Sequence, residues 1–266
     1  MDIISHTLTG VAAGTVLATA SNGSWQKKGF IILVGGLGGA LPDVDAISLW
    51  SKFDGTIGAF LGLEHTGEEI YFGKFWYSHH AAFHSLLAPF MFLLLTAGIN
   101  LGVRKKLNVT NFLTYVSAHK FSLLAFLCGF ILHILEDMPT PASVWGGVHF
   151  FFPFPGYIGG FGNIWWWNNY DLVLIISVVV VLNLLINMIP KGYHRLKTMS
   201  SICVFVIGLV FFMIQINTRP MDFAYSGHTV DYSTFEAHSK DIQQEILGDK
   251  LFEIMTAIDR NIPLNF

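Results

Sequence analysis

A set of ionisable side chains stands inside or at the ends of apolar runs: His6; Asp43 and Asp45; His79, His80 and His84; His133, Glu136 and Asp137. Charge and imidazole at membrane-helix positions are costly, so such residues are functional candidates before anything else is known. Their types agree with one chemistry, because imidazole and carboxylate are the ligands of zinc and similar divalent metals. His133 and Asp137 are four apart and share a helix face, as do His80 and His84 if their segment is helical. His79 then lies on a neighbouring face. Asp43 and Asp45 flank one valine after Leu41-Pro42, where the proline ends the helix and lets both carboxylates approach one site. Several acids and histidines exceed what one structural ion needs, and two metals can share a carboxylate bridge in hydrolytic sites. His65, His119, His149, His194, His228 and His238 lack this convergence and are set aside.

The elements that must position these groups follow from composition. Of the 266 residues, 53% are hydrophobic and 12% are charged, and the mean hydropathy is +0.54. A soluble domain carries about 25% charged residues, so soluble and disordered readings fail together. The expected fold is all-α, a polytopic integral membrane protein with about six transmembrane helices. The runs are Ile3 to Ala20, Phe30 to Trp50, His84 to Val103, Phe121 to Asp137, Leu172 to Pro190 and Ser201 to Asn217, each near the ~20 residues that cross a bilayer. The first lacks a basic n-region and reads as a retained helix, not a leader. Gly10-xxx-Gly14 and Gly35-xxx-Gly39 permit close helix approach in lipid. Net charge is only −3 without a basic tract, so nucleic acid is not an expected partner. Cys128 and Cys203 lie within apolar runs and read as packing residues.

Orientation comes from the loops. Segments 21–29, 104–120 and 191–200 hold Lys27, Lys28, Arg104, Lys105, Lys106, Lys120, Lys191, Arg195 and Lys197 and no acidic residue. The positive-inside rule makes them cytoplasmic. Both termini then lie outside the cytoplasm, and the ionisable groups above all fall at the outer ends of helices 1–4. The expected organisation is a membrane domain over 1–217 and an extracytoplasmic tail over 218–266, with an amphipathic helix within Phe235 to Ile258. In outer loop 138–171, Phe150 to Pro155 and Trp165-Trp166-Trp167 suit interfacial anchoring or a lipid-facing substrate groove.

These residues in this order resemble the YdjM-like family of membrane-bound, LexA-regulated metal-dependent hydrolases. The likeness covers roughly residues 1–160: Ser5-His6-Thr7 with Gly10, then Gly39-Ala40-Leu41-Pro42-Asp43-Val44-Asp45. The usual His-Arg-Gly-x-Thr-His-Ser segment stands here as His79-His80-Ala81-Ala82-Phe83-His84-Ser85. Gly129 to Asp137 follows, then Thr140, Gly146 and the Phe-Pro-Phe run. The third element departs from the pattern, so either His79 or His80 can partner His84; the i,i+4 spacing favours His80. The order is more distantly similar to zinc-dependent phospholipases C, although no later H-xxx-E is present. Tyr225-Ser226-Gly227-His228 resembles the Pro-Ser-Gly-His of another lipid phosphatase class, but in reversed order and without its arginine. The H-E-x-x-H of intramembrane proteases does not occur.

The resemblance implies a metal-dependent hydrolase. The expected substrate is a phosphoester of a membrane lipid or lipid-linked molecule, met at the outer face of the inner membrane. The expected ligands are His6, Asp43, Asp45, His79, His80, His84, His133 and Asp137, holding zinc or manganese, with Asp43 (or Asp45) as the base that orients water. The same ligand types would serve a metal-ion transporter or a metal-stabilised scaffold. A transporter site belongs near the bilayer midplane, whereas these residues gather at one end.

Overall fold

The computed structural model describes residues 1–228 and 231–261. Their helices longer than ten residues are α1 (Ile3–Ala20), α2 (Trp25–Ala40), α3 (Leu87–Val103), α4 (Val109–Asp137), α5 (Tyr170–Met188), α6 (His194–Asn217), α7 (Tyr232–Leu247) and α8 (Asp249–Arg260). No strand occurs among the described residues. Isolated bridges Pro141–Phe161, Ser143–Ser226 and Val148–Ile158 hold the long loop between α4 and α5.

The N-terminal half is built on glycine. A Cβ on Gly10 would sit 2.3 Å from Gly35 O, one on Gly39 2.2 Å from His6 O, and one on Gly129 2.3 Å from Gly35 O. Helices α1, α2 and α4 therefore touch backbone to backbone, which small residues allow in lipid. This contact sets His6, the end of α2 and His133 side by side. Pro42 cannot donate into α2, so the helix stops, and the chain runs on as a 3-10 turn, Pro42–Leu49, bent by 51° from α2. Asp2 caps α1 by accepting from the Ile4 and Ser5 amides.

Helices α5 and α6 pack on the opposite flank of α1 around Ala12, Ile164, Leu172, Ile176, Phe212 and Ile216. At the end away from the histidines a polar clamp crosses the bundle. Lys28 Nζ donates to Asn187 Oδ1 at 2.9 Å, Asn187 Nδ2 donates to Thr19 Oγ1 at 2.5 Å, Lys197 Nζ donates to the carbonyls of Asn187 and Ile189, and Ser201 donates to Asn183.

Among the described residues, four helices are long and apolar enough to cross a membrane (α1, α4, α5 and α6), and a fifth span results if α2 and its bent 3-10 continuation count as one. The shorter apolar helix α3 stands beside them, and the all-α polytopic membrane architecture is the one expected. The third expected run begins not at His84 but at Leu87, leaving α3 with 17 residues. Among its described residues the tail holds two helices, not one amphipathic stretch, because Gly248 breaks it at φ 70°; residues 229–230 and 262–266 of the expected tail lie outside the described residues. Phe151 and Phe154 are exposed as interfacial anchors should be, but Trp165 is fully buried against Phe223 and Phe235. Cys128 is half-buried, and Cys203 is exposed on α6, so only the former can serve as packing.

Candidate metal centre

Each ligand candidate is delivered by a different piece of backbone. Residue His6 sits in the second turn of α1, His133 and Asp137 in the last turns of α4, and Asp43 and Asp45 in the bent turn after α2. His84 ends a short 3-10 turn, Ala82–His84. Their side chains converge. His84 Nε2 and His133 Nε2 are 3.3 Å apart. Asp43 Oδ1 lies 3.6 Å from the first and 3.5 Å from the second, and Asp137 Oδ2 lies 3.5 Å and 3.1 Å from the same two atoms. Four donors at ~2.0–2.1 Å from a common zinc would stand roughly 3.3–3.4 Å from one another in a tetrahedron. The separations among Asp43, His84 and His133 lie near that value, so these three donors can face one ion, and Asp137 Oδ2 stands beside the two imidazoles.

The outer nitrogens point away from this centre to acceptors. His133 Nδ1 donates to Gly39 O at 2.6 Å, and His6 Nδ1 donates to Glu136 Oε2 at 2.8 Å. In the neutral rings the inward Nε2 atoms are then lone pairs, which is the state a metal needs, and outer partners of this kind fix ring orientation. His84 Nδ1 faces Asp45 Oδ2 at 3.5 Å. Asp45 Oδ1 accepts from His79 Nδ1 at 2.7 Å.

A second group adjoins the first through Asp137. Its Oδ1 lies 3.1 Å from His6 Nε2 and accepts from the Met1 amino group at 2.8 Å. The His6 ring stacks on His133 with centroids 3.7 Å apart. The ligand atoms of His6, His133 and Asp137 gather closely enough to hold an ion, as do those of Asp43, His84 and His133, and of His79, His80 and His84.

Two observations test whether these residues suit a metal. His6 Nε2 and Asp137 Oδ2 are buried and have no hydrogen-bond partner, and an unpartnered buried polar atom is costly. The donor set is also the nitrogen and oxygen mixture that zinc and manganese accept. The residues fit. Burial opposes charge on His84, but the neighbouring carboxylates of Asp43 and Asp45 outweigh it and push its pKa up to about 10. Burial and the neighbouring His79 and His84 hold His80 well below the usual imidazole range.

The expected ligands do not all share one place. His6, Asp43, His84, His133 and Asp137 meet. Asp45 stands one layer out, against the outer nitrogens of His79 and His84. The helical argument for His80 fails, because the chain turns sharply at φ 61° there and His80 Nδ1 donates to Gly147 O at 3.1 Å. His79, through Asp45, is the more directly connected to the centre. Glu136 was among the ionisable candidates but outside the expected ligands, and it is the partner that orients His6. Its signal was present, an acid in a membrane helix, and was masked by the adjacent Asp137. His149, set aside, bonds to Phe154 O and lies outside the centre.

The fold and this buried His/Asp cluster define an all-α integral membrane protein with groups able to hold a metal ion. The chain belongs to the YdjM inner membrane protein family, whose model matches residues 1–220. No curated protein and no solved structure matches it.

Proposed function

We propose that the protein is a membrane-bound, metal-dependent hydrolase that cleaves a phosphoester of a lipid or lipid-linked substrate at the outer face of the inner membrane. The observation that carries this reading is the close approach of His84 Nε2, His133 Nε2 and Asp43 Oδ1, with Asp137 Oδ2 beside both imidazoles. A divalent metal, zinc foremost, would supply Lewis acidity, lowering the pKa of water toward ~7 and polarising a phosphoryl oxygen. His84, His133, Asp43 and Asp137 would hold it, with His6 and the second oxygen of Asp137 available to a neighbouring ion.

The chain's own groups divide the remaining work. The Asp43 side chain is 15% exposed, against 0–3% for the other three, so the centre is approached over Asp43. Its carboxylate is the group placed to orient incoming water and take its proton. Asp45, Glu136 and Gly39 O hold the imidazoles in position. The buried wall of His6, His133 and Ile134 keeps bulk water away.

The test is metal analysis of the purified protein, with hydrolysis measured on a phospholipid panel with added zinc or manganese. Wild type should carry metal and cleave, while Asp137→Ala should lose both, because a charged ligand leaves a buried site. Equal cleavage by both proteins would place the activity elsewhere. No cleavage by either, with metal uptake by wild-type vesicles alone, would favour a transporter.

A further inference from the structure

Helices α4 and α6 both pack on α1 but stand apart from one another. Between them runs an apolar groove of about 450 Å³, floored by Thr9 and Ala12 and walled by Leu132 and Leu135 on one side and Leu209 and Met213 on the other. Its volume falls in the ~300–1,000 Å³ range of small-molecule sites. The α6 wall runs from Phe205 to Asn217. Twelve helical steps span roughly 18 Å, close to one leaflet of a hydrocarbon core ~30 Å thick.

The polar groups of the groove are confined to one end. Asn163 and Asn217 stand at its rim with Pro139, and Glu136 lines the wall just below. The same Glu136 carboxylate holds His6 Nδ1 at 2.8 Å. The groove therefore begins at the depth of the His/Asp centre, shares one residue with it, and descends from there through side chains that are apolar apart from Thr9, whose hydroxyl donates to Ser5 O within its own helix. That profile is the profile of an amphiphile.

We propose that this groove seats one hydrocarbon chain of an outer-leaflet lipid, with the polar neck of that lipid at the Glu136, Asn163 and Asn217 level. A peptide helix is a poorer match, since a cylinder roughly 10 Å across needs far more room over that length than the groove's 450 Å³. That the seated lipid is also the one cleaved rests on the function proposed above; its occupancy of the groove does not. The chain so placed brings the neck of the lipid beside Glu136, and through Glu136 beside His6.

The experiment is photolabelling in phosphatidylethanolamine vesicles doped with a phosphatidylethanolamine that carries a diazirine on one acyl chain. In wild type the adducts should concentrate on Leu132–Leu135 and Leu209–Met213. Leu209→Trp fills the slot and should lower their yield by roughly tenfold, the equivalent of ~1.4 kcal/mol, less than the burial of two methylenes at ~0.8 kcal/mol each. Met213→Trp, at a half-exposed position, should act in the same direction and carries the test if Leu209→Trp fails to fold. Leu182→Trp, on α5 and outside the groove, should leave the labelling unchanged. Adducts spread evenly over outward residues such as Leu94, Leu113 and Leu182, or labelling untouched by the groove-filling changes, would overturn the proposal. So would a chain-to-chain cross-link through Leu209→Cys in place of lipid adducts, because a second copy would then fill the groove. Intact labelling with no hydrolysis of any phospholipid would remove the proposed function and leave the groove standing.

Discussion

Two aspartates separated by one valine have been given different tasks. Asp43 faces the two Nε2 atoms, at 3.6 and 3.5 Å, whereas Asp45 reaches only the outer nitrogens of His84 and His79. Their replacement by asparagine should therefore have different consequences. Asp45→Asn keeps the shape and removes an orienting charge, so metal affinity should fall by about 10–100-fold, the usual effect of losing an outer partner, and excess metal should restore hydrolysis. Asp43→Asn removes a ligand and the base together, so added metal should not restore turnover. Glu136→Gln should behave as Asp45→Asn does, because the amide oxygen can still accept from His6. Metal titration followed by equilibrium dialysis separates the two classes, and rescue of Asp43→Asn by zinc would contradict the assignment. The contrast between the two aspartates was not legible in the sequence, where both stand beside Pro42. It depends on the 51° bend, which no spacing rule gives.

At the scale of elements, glycine decides which helices meet. Gly35→Ala would place a methyl 2.5 Å from Gly10 O. Backbone cannot move aside as a side chain can, so overpacking there should cost about 1–3 kcal/mol and lower the melting temperature in detergent. Gly29→Ala, in the same helix but with nothing within 4 Å, should be neutral or stabilising by up to ~1 kcal/mol through helix propensity. Equal effects of the two would show that the α1–α2 contact is not what holds this half of the bundle. The small-residue spacings announced this contact, and hydropathy announced α1, α4, α5 and α6, because both signals are local. The third histidine element is not an α-helix, although His80 and His84 have helical spacing. What sets that segment is its tertiary partners: Gly147 O bonds His80 Nδ1, and His80 O accepts from the His149 amide. Such partners lie some seventy positions away and leave no trace in the segment itself. The buried Trp165 is a similar case, since an aromatic triplet signals an interface by composition, while only the fold around Phe223 and Phe235 shows that one member turns inward.

For the whole molecule, two ends of one bundle have opposite chemistry. The His/Asp groups gather at one end, and the other carries the clamp in which Lys28 and Lys197 converge on Asn187. Lys27, Lys28, Arg104, Lys105 and Lys106 flank the same end, as do Arg195 and Lys197, and the acidic residues are absent from those loops. A lysine that sets topology from a loop would ordinarily be solvated. Here Lys28 and Lys197 are also buried and hydrogen-bonded across helices, so they tie the positive charge of this end to the packing of the bundle. Interhelical bonds of this kind average about 0.6 kcal/mol and reach ~1.7 kcal/mol, so the clamp supports the bundle without dominating it. Because retained positive charge governs orientation, this end is expected in the cytoplasm and the His/Asp end outside it. A reporter that is active only in the cytoplasm should therefore be silent when fused after Phe266, and active when inserted between Lys105 and Lys106, in the turn that joins α3 to α4. The reverse pattern would turn the protein over, put the centre on the cytoplasmic face and remove the outer-leaflet lipid from both the proposed reaction and the groove. The paired insertion matters because one silent fusion can also mean an unfolded reporter, whereas signal at one site and silence at the other cannot.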